Sequence, residues 1–181
     1  KFDDYLSYLN KIYEHKKIKD IEKIIFISST SVYPNIEGFF NEEFEIENSS
    51  SKIVYEAEKL VLNKSDIIFR VSALVGANRV SGRRLSNKVV EYPKSVINFV
   101  HRNDVIDATK FVIENNLNGT FNLCCKEHPS KEDLYSFNAK KYDFALPIFS
   151  ENKEFLNRTI DGSKIEQLGF IYKHNNAFDL I

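Results

Sequence analysis

The sequence predicts an α/β protein, a parallel sheet with helices packed on it, and three observations carry that reading. Ile24-Ile25-Phe26-Ile27, Ile67-Ile68-Phe69-Arg70-Val71 and Thr120-Phe121-Asn122-Leu123-Cys124-Cys125 are unbroken runs rich in β-branched or aromatic residues, the pattern of strands buried on both faces. The segments between them repeat their apolar residues at helical spacing. The two kinds alternate, with no internal repeat or low-complexity tract, and alternation favours parallel strands joined by helices.

Each element follows in order. Tyr5, Leu6, Leu9, Ile12 and Tyr13 place a helix over residues 2–16. The first strand then ends abruptly in Ser28-Ser29-Thr30-Ser31, before a polar, acidic loop over 34–48 broken by Pro34, Asn35 and Gly38. Ile53, Val54, Ala57, Leu60 and Val61 give residues 50–63 one apolar face. The second strand ends near Gly76, and a basic stretch from Arg79 to Lys88 reads as a loop or short helix. Asp104 and Asp107 have capping-box spacing, with Val105, Phe111 and Val112 supporting a helix that stops before Gly119. After the third strand, Ser130 caps a short helix, and a last helix near 162–168 ends at Gly169.

Composition bounds the function. A chain of 181 residues is expected to form one domain with a real core, and 43% apolar with 28% charged residues is ordinary for a globular protein. The net charge of −1 gives no bulk field toward nucleic acid or an acidic lipid surface. No apolar run approaches the ~20 residues of a membrane span, and the charged, amphipathic opening is not a signal peptide. Cys124 and Cys125 are adjacent, which excludes a disulfide framework or a paired CxxC zinc site and fits a reducing, cytoplasmic setting. His15, His128 and His174 are too scattered to suggest a metal site.

In parallel sheets, ligands bind beyond the carboxyl ends of the strands. The four hydroxyls at 28–31 could therefore orient a substrate carbonyl or sugar hydroxyl; they could equally cap the turn that follows. Arg79, Arg83, Arg84 and Lys88 have the guanidinium forks and charge that suit a diphosphate, against the alternative of a solvated loop. Arg70, at the end of a buried strand, is expected to tie down neighbouring carbonyls. Cys124 and Cys125 are expected to be packing residues.

The stretches FISSTSVYP, AEKLVL, IFRVSALVGANR, NFVHRNDV and GTFNL occur in that order. The succession resembles the extended short-chain dehydrogenase/reductase family, which includes nucleotide-sugar epimerases and dehydratases. The resemblance covers most of residues 20–135, with an echo in SKIEQLGF at 163–170. It implies a Rossmann-like doubly wound sheet, NAD or NADP as cofactor and a nucleotide-sugar substrate, with neither nucleic acid nor membrane as partner. Residues 1–125 would be part of the dinucleotide-binding domain, with 72–103 contributing to the substrate cleft. Residues 126–181 would form a small region on the substrate side. Ser29, four residues before Tyr33, matches the active-site Ser/Thr position, which in that family hydrogen-bonds the substrate atom that gains or loses hydride. Ser28, Ser72, Ala73 and Leu74 would flank the nicotinamide; Thr30, Arg79, Arg83, Arg84 and His101 would line the substrate cleft.

Two departures stand beside the resemblance. Tyr55 and Lys59 have the spacing of the family's catalytic Tyr–Lys pair, in which Lys lowers the Tyr pKa. Yet the family's Ala-Glu context, met here by Ala57-Glu58, sets a register in which Ser50 and Val54 occupy the Tyr and Lys places. At roughly 100° per residue, Tyr55 and Lys59 point away from the apolar face while Ser50 and Val54 point inward. Tyr55 and Lys59 then become an exposed pair, with Leu62, on a helix-pairing surface suited to a homodimer through residues 50–63. The second departure is the glycine loop: Gly38, Gly76, Gly82, Gly119, Gly162 and Gly169 are scattered, and none forms the GxxGxxG turn that meets a cofactor pyrophosphate. By the resemblance, the first half of the nucleotide fold is missing from this sequence. Three readings follow: a nicotinamide-dependent epimerase/dehydratase-like enzyme, a catalytically silent relative that binds a dinucleotide or a partner, and a truncated product needing a partner chain. The last would leave an exposed apolar sheet edge.

Overall fold

The computed structural model describes residues 2–77, 79–152 and 154–179. In chain order the elements are α1 (Phe2–Tyr13), β1 (Ile25–Ser29), β2 (Gly38–Phe40), α2 (Lys52–Val61), β3 (Ile67–Val71), β4 (Ala73–Val75) and β5 (Val89–Val90). Then follow β6 (Phe99–His101), α3 (Arg102–Glu114), β7 (Gly119–Leu123), α4 (Lys131–Lys141), β8 (Ile148–Phe149), β9 (Arg158–Ile160) and α5 (Ser163–Gln167). Single turns of tighter helix occupy Lys16–Asp20, Thr30–Val32 and Arg83–Leu85.

The main sheet has the order β1-β3-β7, all parallel, with Ile67 paired to Ile25 on one side and to Gly119 on the other. Strand β3 is central, and its side chains alternate between two cores as a strand of period two must. Ile67 and Phe69 face one core, with Phe121 and Leu123 of β7, Ala108 and Val112 of α3, Ile165 of α5, and Phe170 and Tyr172. Ile68 faces the other, with Leu9 and Tyr13 of α1 and Ala57 and Val61 of α2. Helices therefore cover both faces of the parallel sheet that the alternation predicted, the doubly wound arrangement that the family resemblance implied.

Several expectations are corrected. Strand β1 is not buried throughout: among the described residues it pairs with β3 alone, and Ile27 is 54% exposed at the sheet edge. An apolar run fixes the strand but not its place in the sheet. The capping-box reading of Asp104 also fails. His101 caps α3, its Nδ1 accepting from the Asn103 N–H at 3.2 Å. Asp104 is instead fully buried and accepts from the N–H groups of Lys173 and His174, which ties the C-terminal segment to α3. The polar loop at 34–48 contains β2, which pairs in parallel with β9. Likewise β4 pairs with β6 and β5 with β8, ladders of two or three residues that carry no readable period. The first helix ends at Tyr13 rather than at residue 16, and the second spans Lys52–Val61. Ser130 caps α4 as expected, accepting from the Asp133 N–H.

No helix among the described residues is long and apolar enough to cross a membrane.

Candidate functional site

Because β1, β3 and β7 run in parallel, their carboxyl ends share one rim of the sheet. There the chain turns through Thr30–Val32 after β1, through Ser72 after β3 and through Cys124-Cys125 after β7. Ser29 caps the first turn. Its Oγ accepts two hydrogen bonds, from the Ser31 N–H at 3.2 Å and the Ser31 hydroxyl at 3.1 Å. Its own hydroxyl proton is given to no acceptor among the described residues. The turn is fastened from outside as well: the Ser50 and Ser49 hydroxyls both donate to the Ser31 carbonyl, at 2.7 and 3.2 Å.

Beneath that turn lies a buried polar network. Glu58 of α2 and Arg70 of β3 form an ion pair with both side chains less than a tenth exposed. Arg70 donates to Glu58 through Nε at 2.9 Å and through Nη2, and Ser28 donates to the second carboxylate oxygen at 2.8 Å. Arg70 Nη1 also donates to the Tyr33 hydroxyl at 2.9 Å, its guanidinium 5.0 Å from the Tyr33 ring centroid. The Tyr33 oxygen lies 2.8 Å from the Asn41 carbonyl and 2.9 Å from Asn122 Oδ1, either of which can take its one proton. Burial raises the Tyr33 pKa despite the neighbouring Arg70 charge, so the phenol stays neutral. Arg70 thus holds a carboxylate and a phenol rather than backbone carbonyls, which corrects its expected role. Tyr33 is wholly buried as the hub of this network.

The remaining candidate residues divide among several places. Ala73, Leu74, Arg79, Arg83 and Arg84 line one open groove of about 620 Å³. Arg83 also sits over the Tyr142 and Phe144 rings, at 6.0 and 5.7 Å. His101 is buried behind this groove and stacked on His174 with ring centroids 3.8 Å apart. Gly76 leaves room for that ring: a Cβ there would stand 2.3 Å from His101 Nε2. Ser28 and Ser29 line a smaller apolar groove of about 330 Å³ along the β1 edge, with Tyr5, Ile27, Ile53 and Val54. Ser72 is buried, and Thr30 is buried with its carbonyl accepting from Arg158 Nη2.

Tyr55 and Lys59 are not at the rim. Tyr55 is half-buried against the cluster containing Phe44 and Ile46. Lys59 lies 5.2 Å over the Tyr55 ring and pairs with Glu56 at 3.7 Å. The residue of α2's approach that touches the serine turn is Ser50, exposed to solvent rather than pointing inward. Cys124 and Cys125 are buried free thiols, with burial pushing both up to about 12. No group of three or more His, Cys, Asp or Glu side chains among the described residues could hold a metal ion.

Sequence reasoning passed over Arg158 and Asn98. Asn98 joins β9 to the rim, donating to the Arg158 carbonyl at 2.7 Å and accepting from the Ile160 N–H at 2.9 Å. Asn98 opens the NFVHRNDV stretch but had no role assigned to it, and Arg158 belongs to no local motif and stands 128 positions from its partner Thr30.

No family model matches the chain. It is 30% identical over 178 residues to protein YeeZ of Escherichia coli, covering 94% of this chain and 65% of that protein. The chain therefore spans a little under two thirds of the length of this curated relative. The UDP-glucuronic acid 4-epimerase of Bacillus cereus, solved in complex with NAD, superposes with a TM-score of 0.79 at 21% identity, over 99% of this chain and 66% of that one. A putative NAD-dependent epimerase/dehydratase from Methylobacillus flagellatus gives a TM-score of 0.72 at 17% identity, over 95% and 70%. A functionally unknown protein from Silicibacter pomeroyi gives 0.75 at 18%, over 96% and 69%. The chain has the Rossmann-like α/β fold of these structures.

Proposed function

We propose that this chain is part of an extended short-chain dehydrogenase/reductase of the epimerase/dehydratase type, binding a nicotinamide dinucleotide and a nucleotide sugar. The observation that carries the reading is Ser29 at the rim of the sheet, accepting two hydrogen bonds from Ser31 and keeping its own proton for an incoming oxygen. A hydroxyl so held is pre-oriented as a donor to a substrate carbonyl. The likeness to an epimerase solved with NAD adds to it.

The residues present fit one end of the cofactor. Ser28 and Ser29 line an apolar groove along the β1 edge that would suit the flat, mostly apolar ring of a nicotinamide, while Ala73 and Leu74 line a separate groove. Among the described residues no glycine cluster presents the row of backbone amides that a pyrophosphate needs. When bound, the dinucleotide would supply hydride transfer. This chain's own part would be to orient the reacting oxygen through Ser29 and to hold substrate phosphates through Arg79 and Arg83 or Arg84. Residues 1–125 would make up the cofactor side and 126–181 the substrate side. The exposed Leu62 at the C-terminal end of α2, with Lys59, would be the pairing surface of a homodimer.

A specific observation favours the second, catalytically silent reading. The Glu58–Arg70 pair anchors α2 in the register that leaves Ser50 and Val54 at the Tyr and Lys places, with Tyr55 and Lys59 turned elsewhere. Proton transfer then lacks its usual group.

The test is to purify the protein from its native host, record its intact mass, denature it and identify any released nicotinamide dinucleotide. Release of NAD or NADP supports the proposal, while no release together with no calorimetric binding of either overturns it. Assaying Ser29→Ala alongside separates the two readings, since a loss of nucleotide-sugar turnover would end the silent one.

A further inference from the structure

Two imidazoles meet where the C-terminal segment crosses α3. His101 ends β6 and caps α3, and His174 lies against it with ring centroids 3.8 Å apart and planes 24° from parallel. Each ring is fixed by a different partner. His101 Nδ1 accepts from the Asn103 N–H at 3.2 Å, so that nitrogen keeps a lone pair and the ring proton sits on Nε2, the nitrogen nearest Gly76. His174 Nδ1 lies 3.0 Å from Asp104 Oδ1, and the same carboxylate takes the Lys173 and His174 N–H groups at 3.0 and 3.1 Å. The Cys125 thiol donates to the His174 carbonyl, and Glu127 accepts from the Ala177 N–H. Burial raises the pKa of Cys125 and of Tyr172, so both stay neutral. The other charges nearby are Lys173, paired with Asp107 at 2.7 Å, and Lys110, which acts on Asp107 from one turn along α3.

This arrangement accommodates one added proton and not two. An imidazolium at His174 is matched by the Asp104 carboxylate, while a neutral His101 still caps the helix. A second proton must go to His101 Nδ1, where it removes the acceptor that serves α3. It also sets two positive rings face to face at 3.8 Å with a single buried carboxylate between them and neutrality. His101 is 5% exposed, so water screens that repulsion little. We propose that the His101–His174 stack is a pH-sensitive latch: below about pH 6.5, the ordinary imidazole range, joint protonation parts the rings, frees the C-terminal segment from Asp104 and shifts the turn at Gly76. The sign follows from linkage, because the opened state binds the second proton that the closed stack refuses, and acid therefore favours opening. Gly76 follows because its backbone is moulded to the ring; even a Cβ there would stand 2.3 Å from Nε2. Gly76 also lines the Ala73–Leu85 groove, so the latch carries acidity to the wall of that groove. The inference does not depend on the nicotinamide reading.

The experiment is an NMR titration of the native protein from about pH 7.5 to about pH 5, a range that charges imidazoles and leaves carboxylates ionised. It follows the Gly76 amide signal and the hydrogen-exchange protection of the Lys173 and His174 amides, corrected for the intrinsic pH dependence of exchange. On acidification that protection is expected to fall about tenfold or more, and the Gly76 amide to shift at the same midpoint. His101→Asn supplies a neutral side-chain acceptor for the cap and removes the second charge, and is expected to hold the protection constant across the range. His174→Gln keeps an N–H for Asp104 without an added charge, and is expected to reduce the fall to about threefold or less. The inference is overturned if the wild-type protection does not change, if Gly76 does not shift with it, or if either variant responds as the wild type does.

Discussion

Two arginines reach the same serine-rich turn from opposite sides, and their surroundings differ in one respect. Arg70 is paired with an acid: Glu58 takes two of its donors and Tyr33 a third, inside a shell that holds Ser28 and Asn122 as well. Arg158 has a single carbonyl partner and an orphaned Nε, beside a cleft that holds a second cation. A charge whose partners all come from the chain serves the fold, since its electrostatic gain is complete before any ligand arrives. A charge left short of partners at a cavity wall weakens the empty protein slightly and gains only when something enters.

The largest expected effect breaks the acid-paired side. Glu58→Ala leaves the Arg70 charge buried and unpaired, and is expected to cost about 3–5 kcal/mol. Arg158→Met removes a charge that is already short of partners, and is expected to change stability by less than about 1 kcal/mol. Urea denaturation of the two variants beside the wild type measures both. If they were equally destabilised, the distinction between the arginines would collapse.

Tyr33→Phe comes next. It removes the acceptor of Arg70 Nη1 and the donor that serves Asn122 or Asn41, while the ring still fills its place against Phe40 and Phe44. Leaving those buried groups unsatisfied is expected to cost about 1–3 kcal/mol. A cost near zero by the same denaturation would mean that water replaces the phenol and that the network is less closed than its burial indicates.

How much of this was legible depends on chain distance. Strands β1, β3 and β7 announce themselves because each is a dense apolar run, and Ser29 is marked by standing where such a run stops. Glu58 was legible as a register marker, and Arg70 as a buried strand end; their pairing was not, since it needs α2 to lie against β3. The short ladders β2–β9 and β5–β8 leave no pattern, because two or three residues cannot display a period of two. Arg158 was illegible for a similar reason. It acquires meaning only when β9 closes beside β2 and brings it to Thr30. The His101 cap shows the reverse error: Asp104 and Asp107 have a plausible local spacing, but the buried backbone N–H groups of Lys173 and His174 compete for Asp104 and take it.

The two thiols give a pH-dependent test of the rim's dryness. Their folded pKa values, about 12, stand above the ordinary 9.0 of a thiol that the unfolded chain approaches. Below about pH 9 both states are protonated and the contribution is whole; as pH rises toward 12, ionisation favours the unfolded chain and stability is lost. The urea midpoint is therefore expected to fall between about pH 8 and about pH 10.5, and to fall less in a Cys124→Ala, Cys125→Ala variant. An identical fall in both would assign the alkaline loss to other groups, such as Tyr172, whose phenol burial also raises.

The smallest expected effect is also the one that most sharpens the reading of α2. Tyr55→Phe removes only a hydroxyl from a half-buried ring whose recorded partner, the Lys59 ammonium, addresses the ring face rather than the oxygen. Stability is expected to move by less than about 0.5 kcal/mol. If Tyr55 lies outside the chemistry, cofactor binding and any measured turnover should stay within twofold of the wild type, whereas Ser29→Ala should depress turnover in an active protein. A large loss from Tyr55→Phe with unchanged stability would point the other way. It would mean that α2 can turn by about one residue so that Tyr55 and Lys59 reach the rim. That rotation requires Glu58 to release Arg70, so the same variant made in a Glu58→Gln background would show whether the ion pair is what holds the helix in its present register.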